Sequence, residues 1–335
     1  MTEYALLVLP STNRVYGQAA PALAAAELAA LSQLSLGGRV TDVGELMLAG
    51  VPYVRFRSSD PLSPAELTVV SNLSSLYALF EVDGDALRPV TITPLAHWDD
   101  DLITIQRYAG KTNEQFTHLL LNLAVAVADG WTEKLRVLDP VCGRGTTLNQ
   151  AVRYGYDAVG IDVDGRDIDA FTTFFTTWLQ DKRIRHETDR SRHRVRVRFA
   201  ASKADLKAGR GQEVLAVAAD TINGLDHVAK RSVDAIVADL PYGVQHGSRT
   251  GAGGRLRRSP AELLAGALPG WRAVLRPDGA IVLSFNIRTL AATEARDALA
   301  TAGFSPIDFA DRVSFEHRVD QAIVRDLVIA RAFRR

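Results

Sequence analysis

Two short segments carry the residues best suited to chemistry. The first, LRVLDPVCGRGTT at 135–147, sets an apolar run ending in Asp139 before a tight glycine turn and a helix start at Thr146. Gly143 and Gly145 let the main chain approach a ligand closely, with the first amides of the following helix facing it. An open parallel sheet binds its ligands at such a turn, on the carboxyl edge of its strands. The second segment, VADLPYG at 237–243, also ends an apolar run in an acid. Asp239 can accept a hydrogen bond from an amino group, and the Leu240 carbonyl is free of the ladder because Pro241 cannot continue it. Tyr242 offers a flat face to a planar base. An aromatic amine is a poor nucleophile because its lone pair is delocalised into the ring. Two acceptors on its N–H groups favour a pyramidal nitrogen aimed at an electrophilic methyl, chiefly by positioning.

Two further acids end apolar runs in the same way. GIDVD places Asp162 19 residues after Gly143, where a carboxylate can accept both hydroxyls of a ribose. AAD places Asp220 where it can accept from an adenine amino group. Other nucleotide signatures fail. A dinucleotide fingerprint needs a third glycine at 148, which is Leu148, and a Walker loop needs a glycine at 105, which is Ile105. The seven histidines show no paired-ligand spacing, so no metal is expected. The single cysteine, Cys142, lies in the glycine turn and excludes both a disulfide framework and a Cys-rich zinc site. Beyond the second motif, GVQHGSRTGAGGRLRR at 243–258 is glycine-rich and basic. It reads as a substrate lid or phosphate clamp built from His246, Arg249, Arg255, Arg257 and Arg258.

The elements that must hold these residues follow from periodicity. Strands are expected at 135–139, 157–162, 214–220, 233–239 and 280–285, with helices at 146–153, 167–179, 260–275 and 289–301. Near-continuous apolar strands alternating with helices make a parallel sheet buried on both faces, a doubly wound α/β fold. Stretches at 307–315 and 322–332 read as a closing hairpin. The first 97 residues read differently: strand 4–9, helix 21–34, strands 45–48 and 53–57, helix 63–75 and strand 76–82. That βαββαβ order predicts a small α+β, ferredoxin-like domain at 1–97 ahead of a catalytic domain at 98–335. Pro21 and Pro64 suit first helical turns.

Charge sharpens the division. Lys+Arg 39 balances Asp+Glu 39 over 335 residues, and the zero sum first argues against nucleic acid. The first 100 residues carry −6 and the rest +6. Much of the excess falls in an insertion at 181–213, where RVRVRF alternates like a strand with one basic face. That strip is either a solvated surface or a contact for phosphates. Apolar residues at 47% and charged residues at 23% exclude disordered and fibrous classes. No apolar run approaches the ~18 residues of a membrane span. The start lacks the basic segment of a secretory signal, so a cytoplasmic protein is expected.

DPVCGRGT with GIDVD, AAD and DLPYG resembles the class I S-adenosylmethionine-dependent methyltransferases of the amino-methylating type. It is most similar to the tRNA guanine-N2 methyltransferases, whose relatives carry an RNA-binding THUMP domain in front. RYAGKTNEQFTHLLLNLA at 107–124 is similar to the helix preceding the first motif of that group. The resemblance implies a Rossmann-like methyltransferase sheet and S-adenosylmethionine as cofactor. It places Tyr108, Lys111, Thr112, Asp139, Cys142, Gly143, Gly145 and Thr146 around the cofactor, with Asp162 on its ribose and Asp220 near its adenine. It implies that Asp239, Leu240, Pro241 and Tyr242 receive the target amine, guanine N2 of tRNA. Two departures stand out: Leu240 replaces the more usual proline, and the front domain is short for a ferredoxin-like plus THUMP pair. A DNA adenine-N6 or cytosine-N4 methyltransferase, a small-molecule amine methyltransferase and a catalytically idle binding subunit remain alternatives.

Overall fold

Why the chain makes two sheets is visible in its first hundred residues. The computed structural model describes residues 1–242, 259–309 and 313–333. Its opening elements are β1 (Thr2–Val8), α1 (Arg14–Ser35), β2 (Val40–Leu48), β3 (Val51–Ser58), α2 (Pro64–Ser71), β4 (Leu76–Asp83) and β5 (Ala86–Val90). The strands form an antiparallel sheet of order β2-β3-β1-β4-β5. Alternation in β1 turns Tyr4, Leu6 and Val8 into the core beneath α1. Helix α1 starts at Arg14, earlier than Pro21 implied, because the Asn13 side chain accepts from the Tyr16 amide (3.1 Å). Pro21 therefore sits inside the helix rather than in its first turn. Helix α2 opens on a Ser63–Glu66 capping box with Pro64 in the first turn. It ends at Asn72, short of the expected Ser75, and the Asn72 side chain binds the Thr68 carbonyl (2.7 Å) and Leu95 amide (2.8 Å).

The remaining elements are α3 (Asp101–Thr104), α4 (Glu114–Val127), β6 (Arg136–Asp139), α5 (Thr146–Arg153), β7 (Asp157–Asp162) and α6 (Gly165–Asp181). There follow β8 (Arg185–Arg190), β9 (Arg194–Ala200), α7 (Lys203–Lys207), β10 (Gln212–Ala218) and β11 (Val233–Asp239). The chain closes with α8 (Pro260–Val274), β12 (Leu275–Asn286), α9 (Ala292–Thr301), β13 (Phe304–Pro306), β14 (His317–Arg318) and β15 (Val324–Ala332). Five parallel strands in the order β12-β11-β6-β7-β10 form the centre of the second sheet. Antiparallel β15 flanks β12, and the β9–β8 hairpin flanks β10. Side chains such as Val137, Leu138, Val159, Ile161, Ile236 and Val237 are all fully buried, as a sheet covered on both faces requires. Strand order reverses at β6, so the carboxyl ends of β6, β7 and β11 border one crevice.

One expectation changes. The stretch 307–315 is not a strand in its described residues; β13 pairs with β15 instead, and the Ile307 amide extends that pairing to Ile329 (2.9 Å). The basic insertion carries the β8–β9 hairpin, with RVRVRF on β9 as its alternation predicts, and four of its arginines there meet acids. Arg190 meets Asp169 (3.3 Å), Arg194 meets Asp189 (3.2 Å), Arg196 meets Glu213 (3.6 Å) and Arg198 meets Glu187 (3.3 Å). The hairpin also lies four strands from β11, about 19 Å at ordinary strand spacing. It borders the β10 side of the crevice and not the Asp239 side.

The two sheets meet through α1 against α4. Glu27, wholly buried on α1, accepts from the Ser74 amide (3.0 Å), the Ser74 hydroxyl (2.5 Å) and the Asn122 amide of α4 (2.7 Å). Asn122 also donates to the Asn72 carbonyl (2.6 Å) and accepts from the Tyr154 hydroxyl (2.7 Å). The acidic front portion is thereby tied directly to the helix that precedes β6.

Candidate active site

The glycine turn after β6 is shaped by two left-handed residues. Gly145 has φ +79°, and a Cβ there would lie 2.3 Å from Phe171 Cδ2, so packing and backbone both demand glycine. Gly143 has φ +49°, and a Cβ there would meet only open space, which leaves the main chain approachable. The Gly143 amide donates to Asp162 Oδ2 (2.8 Å), and the Asp164 amide donates to Oδ1 (2.9 Å). The end of β7 is thus locked to the turn after β6. Burial pushes the Asp162 carboxyl above its ordinary range. Beside it Val163 is 78% exposed, an aliphatic surface at the rim.

Asp139 is buried at the end of β6 and accepts from the Val141 amide (3.0 Å). Burial pushes its carboxyl up to about 7, with the charges of Asp162 and Asp239 adding to the rise. The crevice therefore concentrates carboxylates, which suits a cationic ligand. Tyr108 comes from the segment before α4; its hydroxyl pairs with Thr146 Oγ1 (2.9 Å), and burial raises the phenol to about 12. Arg144 lies 5.1 Å from the Tyr108 ring centre and binds Asp167 (2.8 Å). Asp220 sits just beyond β10, where its carboxylate accepts from the Ile222 amide (3.1 Å).

Three residues expected around the cofactor have other partners. Lys111 points its ammonium to the Ile103 carbonyl (2.7 Å), the Gln106 carbonyl (2.8 Å) and Glu114 (2.5 Å). All three of its donors staple its own loop. Cys142 turns its buried thiol down onto Gly160, and its amide donates to the Ile161 carbonyl (2.9 Å). Thr112 reaches past the glycine turn and donates to Asp239 Oδ2 (2.8 Å).

At the end of β11, the Leu240 amide donates to the Ser284 carbonyl (2.8 Å) and fixes the turn against β12. Leu240 is fully buried, whereas Pro241 is exposed. The Tyr242 hydroxyl is 2.6 Å from each oxygen of Asp239. Sequence reasoning missed the centre of this cluster. Arg325 of β15, with its side chain 5% exposed, pairs with Asp239 Oδ2 (3.3 Å) and with the Tyr242 hydroxyl. Its guanidinium sits 4.4 Å from the Phe116 ring centre and 5.1 Å from that of Tyr242. One face of Tyr242, expected to be open for a base, is thus turned to Arg325. Behind them His317 packs on Phe116 at 4.9 Å, and burial lowers its imidazole to about 4. His246, Arg249, Arg255, Arg257 and Arg258 lie outside the described residues. Among the described residues no three His, Cys, Asp or Glu are arranged to hold a metal ion, and no helix is long and apolar enough to cross a membrane.

The family model described as UPF0020, RMKL-like, methyltransferase domain, matches residues 109–285. No curated protein matches the sequence. Similar solved structures include TrmN from Thermus thermophilus, 14% identical, covering 99% of this chain and 100% of that one, with a TM-score of 0.46. The ribosomal protein L11 methylase of Lactobacillus delbrueckii subsp. bulgaricus is 17% identical over 68% of this chain and 91% of its own, with a TM-score of 0.37. A TehB-like SAM-dependent methyltransferase of Corynebacterium glutamicum is 15% identical over 63% and 87%, also at 0.37.

Proposed function

The chain belongs to the UPF0020 family of RMKL-like methyltransferase domains and is an S-adenosylmethionine-dependent methyltransferase, and from that premise we propose that it methylates an exocyclic amine, guanine N2 of tRNA. The observation that carries this reading is the Asp239-Leu240-Pro241-Tyr242 turn at the end of β11, the strand beside the glycine turn of β6. That pairing supports an amine acceptor next to a cofactor cradle.

The residues present fit S-adenosylmethionine. Gly143 leaves open space for its close approach, Asp162 is held at the rim to meet ribose hydroxyls, and exposed Val163 offers an apolar surface to adenine. Asp220 would lie near the adenine amino group. Asp139 adds a carboxylate facing a positive charge, while Tyr108 and Thr146 close the methionine end. When bound, S-adenosylmethionine supplies an electrophilic methyl on a sulfonium. The protein is left to orient the amine, exclude water and take away one proton. Asp239 and the Leu240 carbonyl would accept the two N–H groups, which holds the nitrogen lone pair toward the crevice. After transfer the proton leaves through Asp239 or water. A guanine within a stem must first be turned out of it, at roughly a few kcal/mol. The role of contacting the substrate's phosphates is proposed for His246, Arg249, Arg255, Arg257 and Arg258 from their basic character. A cytoplasmic location accords with this substrate.

One observation favours a second reading, a small-molecule amine: Arg190, Arg194 and Arg198 of the hairpin are already paired with acids. Exposed pairs of this kind hold each other by only about 0.2–1 kcal/mol, so phosphates can still recruit them. The site itself is tested by Asp239→Ala. Calorimetry should show cofactor binding within a few-fold of wild type, while turnover falls about 100-fold or more. Full activity in that variant removes the amine-orienting role, and a wild-type protein that binds no S-adenosylmethionine removes the whole scheme.

A further inference from the structure

We propose that Arg325 is a positioning residue that anchors one oxygen of Asp239, leaving the other to receive the amine. The inference rests on the amine-accepting role given to Asp239 above.

The two oxygens of the Asp239 carboxylate are unequally occupied. Oδ2 receives Thr112 (2.8 Å), Arg325 (3.3 Å) and the shared Tyr242 hydroxyl (2.6 Å). Among the described residues, Oδ1 receives just that same tyrosine hydroxyl, at 2.6 Å. An incoming N–H therefore competes there with Tyr242, and it wins Oδ1 when the tyrosine turns away to meet the base. Without a second holder the carboxylate would then rotate freely about its side-chain bonds. Arg325 and Thr112 prevent this by keeping Oδ2 in place.

Arg325 is built to stay. It projects from β15, which is hydrogen-bonded to β12, which in turn pairs with β11, so its backbone is fixed relative to Asp239 by two ladders. Its guanidinium lies over Phe116 at 4.4 Å, a cation–π contact that persists whatever Tyr242 does. The charge facing it is Asp239, with the neutral Tyr242 hydroxyl alongside. Burial of a guanidinium is tolerated only with such partners. Tyr242 leans on this same cation at 5.1 Å, so its release exchanges a cation–π contact for stacking on the base. Arg325 itself touches neither base nor cofactor in this scheme. It acts through Asp239.

The test uses Arg325→Met, Arg325→Lys, Asp239→Asn and the Arg325→Met/Asp239→Asn double variant of the full chain. Turnover is measured on unmodified tRNA transcripts and cofactor affinity by calorimetry. Arg325→Met should lower kcat about 100-fold with cofactor affinity within twofold of wild type. Arg325→Lys, which keeps the charge but not the fork, should recover about a tenth of wild-type kcat. In the Asp239→Asn background, Arg325→Met should cost nothing further. Additive losses, or a lysine variant no better than methionine, overturn the inference. Wild-type kcat in Arg325→Met with impaired Asp239→Asn overturns it while sparing the reading of Asp239; wild-type kcat in Asp239→Asn overturns both. The same cycle read on urea unfolding reports the contact without substrate. Absence of coupling there overturns the inference whichever amine is the substrate.

Discussion

Replacing Glu27 by glutamine should change how stability depends on pH while leaving the fold alone. Burial pushes the Glu27 carboxyl from 4.5 up to about 7, against the pull of Asn122 and Ser74. In the unfolded chain the group releases its proton near its ordinary value. Between pH 4.5 and 7 the folded protein therefore holds a proton that the unfolded one has lost, so stability falls as pH rises through this window. At about 1.4 kcal/mol per unit the loss reaches about 3 kcal/mol and levels off above pH 7. Glutamine has nearly the same shape and can still accept from Asn122 and the Ser74 amide, but it does not titrate. Asp139, also pushed up to about 7, gives the same trend in both proteins and cancels from their difference. Urea unfolding followed by tryptophan fluorescence at pH 5 and pH 8 measures that difference. Glu27→Gln should gain about 2.5 kcal/mol on wild type between the two, because part of the loss already precedes pH 5. Parallel stabilities across that range would refute the buried-acid account of the α1–α4 junction.

Three more outcomes follow from the site. Cofactor affinity should strengthen as pH rises through about 7, because a cationic ligand favours ionised Asp139; calorimetry at pH 6 and 8 should show up to about tenfold per unit below 7, and Asp139→Asn should abolish the slope. Gly145→Ala should cost about 3 kcal/mol or more in urea unfolding, since the new methyl must displace Phe171 at a left-handed position. Asp239→Ala should separate binding from turnover, as set out above, when calorimetry and methyl-transfer rates are compared.

The parallel core was legible because its strands announce themselves twice, by near-continuous Val, Ile, Leu and Ala and by the acids that end them. Asp139, Asp162 and Asp239 each close a strand where expected. Local signals misled where a stronger neighbour was at work. Pro21 looked like a helix start, but Asn13 caps α1 earlier and the helix carries the proline inside. Arg194, Arg196 and Arg198 do share one face of β9, but sequence shows their charge and not the acids that meet it. Arg325 could not be read at all: nothing in IVRDLVIARA links it to a turn 83 residues earlier. Only a hint existed, since alternation along β15 sets Arg325 on the same face as Leu327 and Ile329, both buried. A buried arginine on an apolar face calls for a carboxylate partner, and only the fold says which.

The central claim, methyl transfer to an exocyclic amine of tRNA, is tested most directly by following the methyl group. Wild-type protein is supplied with methyl-labelled S-adenosylmethionine and separate pools of tRNA, DNA and small metabolites, and the labelled product is digested and identified. The account predicts label in the tRNA pool, recovered as guanosine methylated on N2. Label confined to DNA or to small molecules, with none in tRNA, would contradict it.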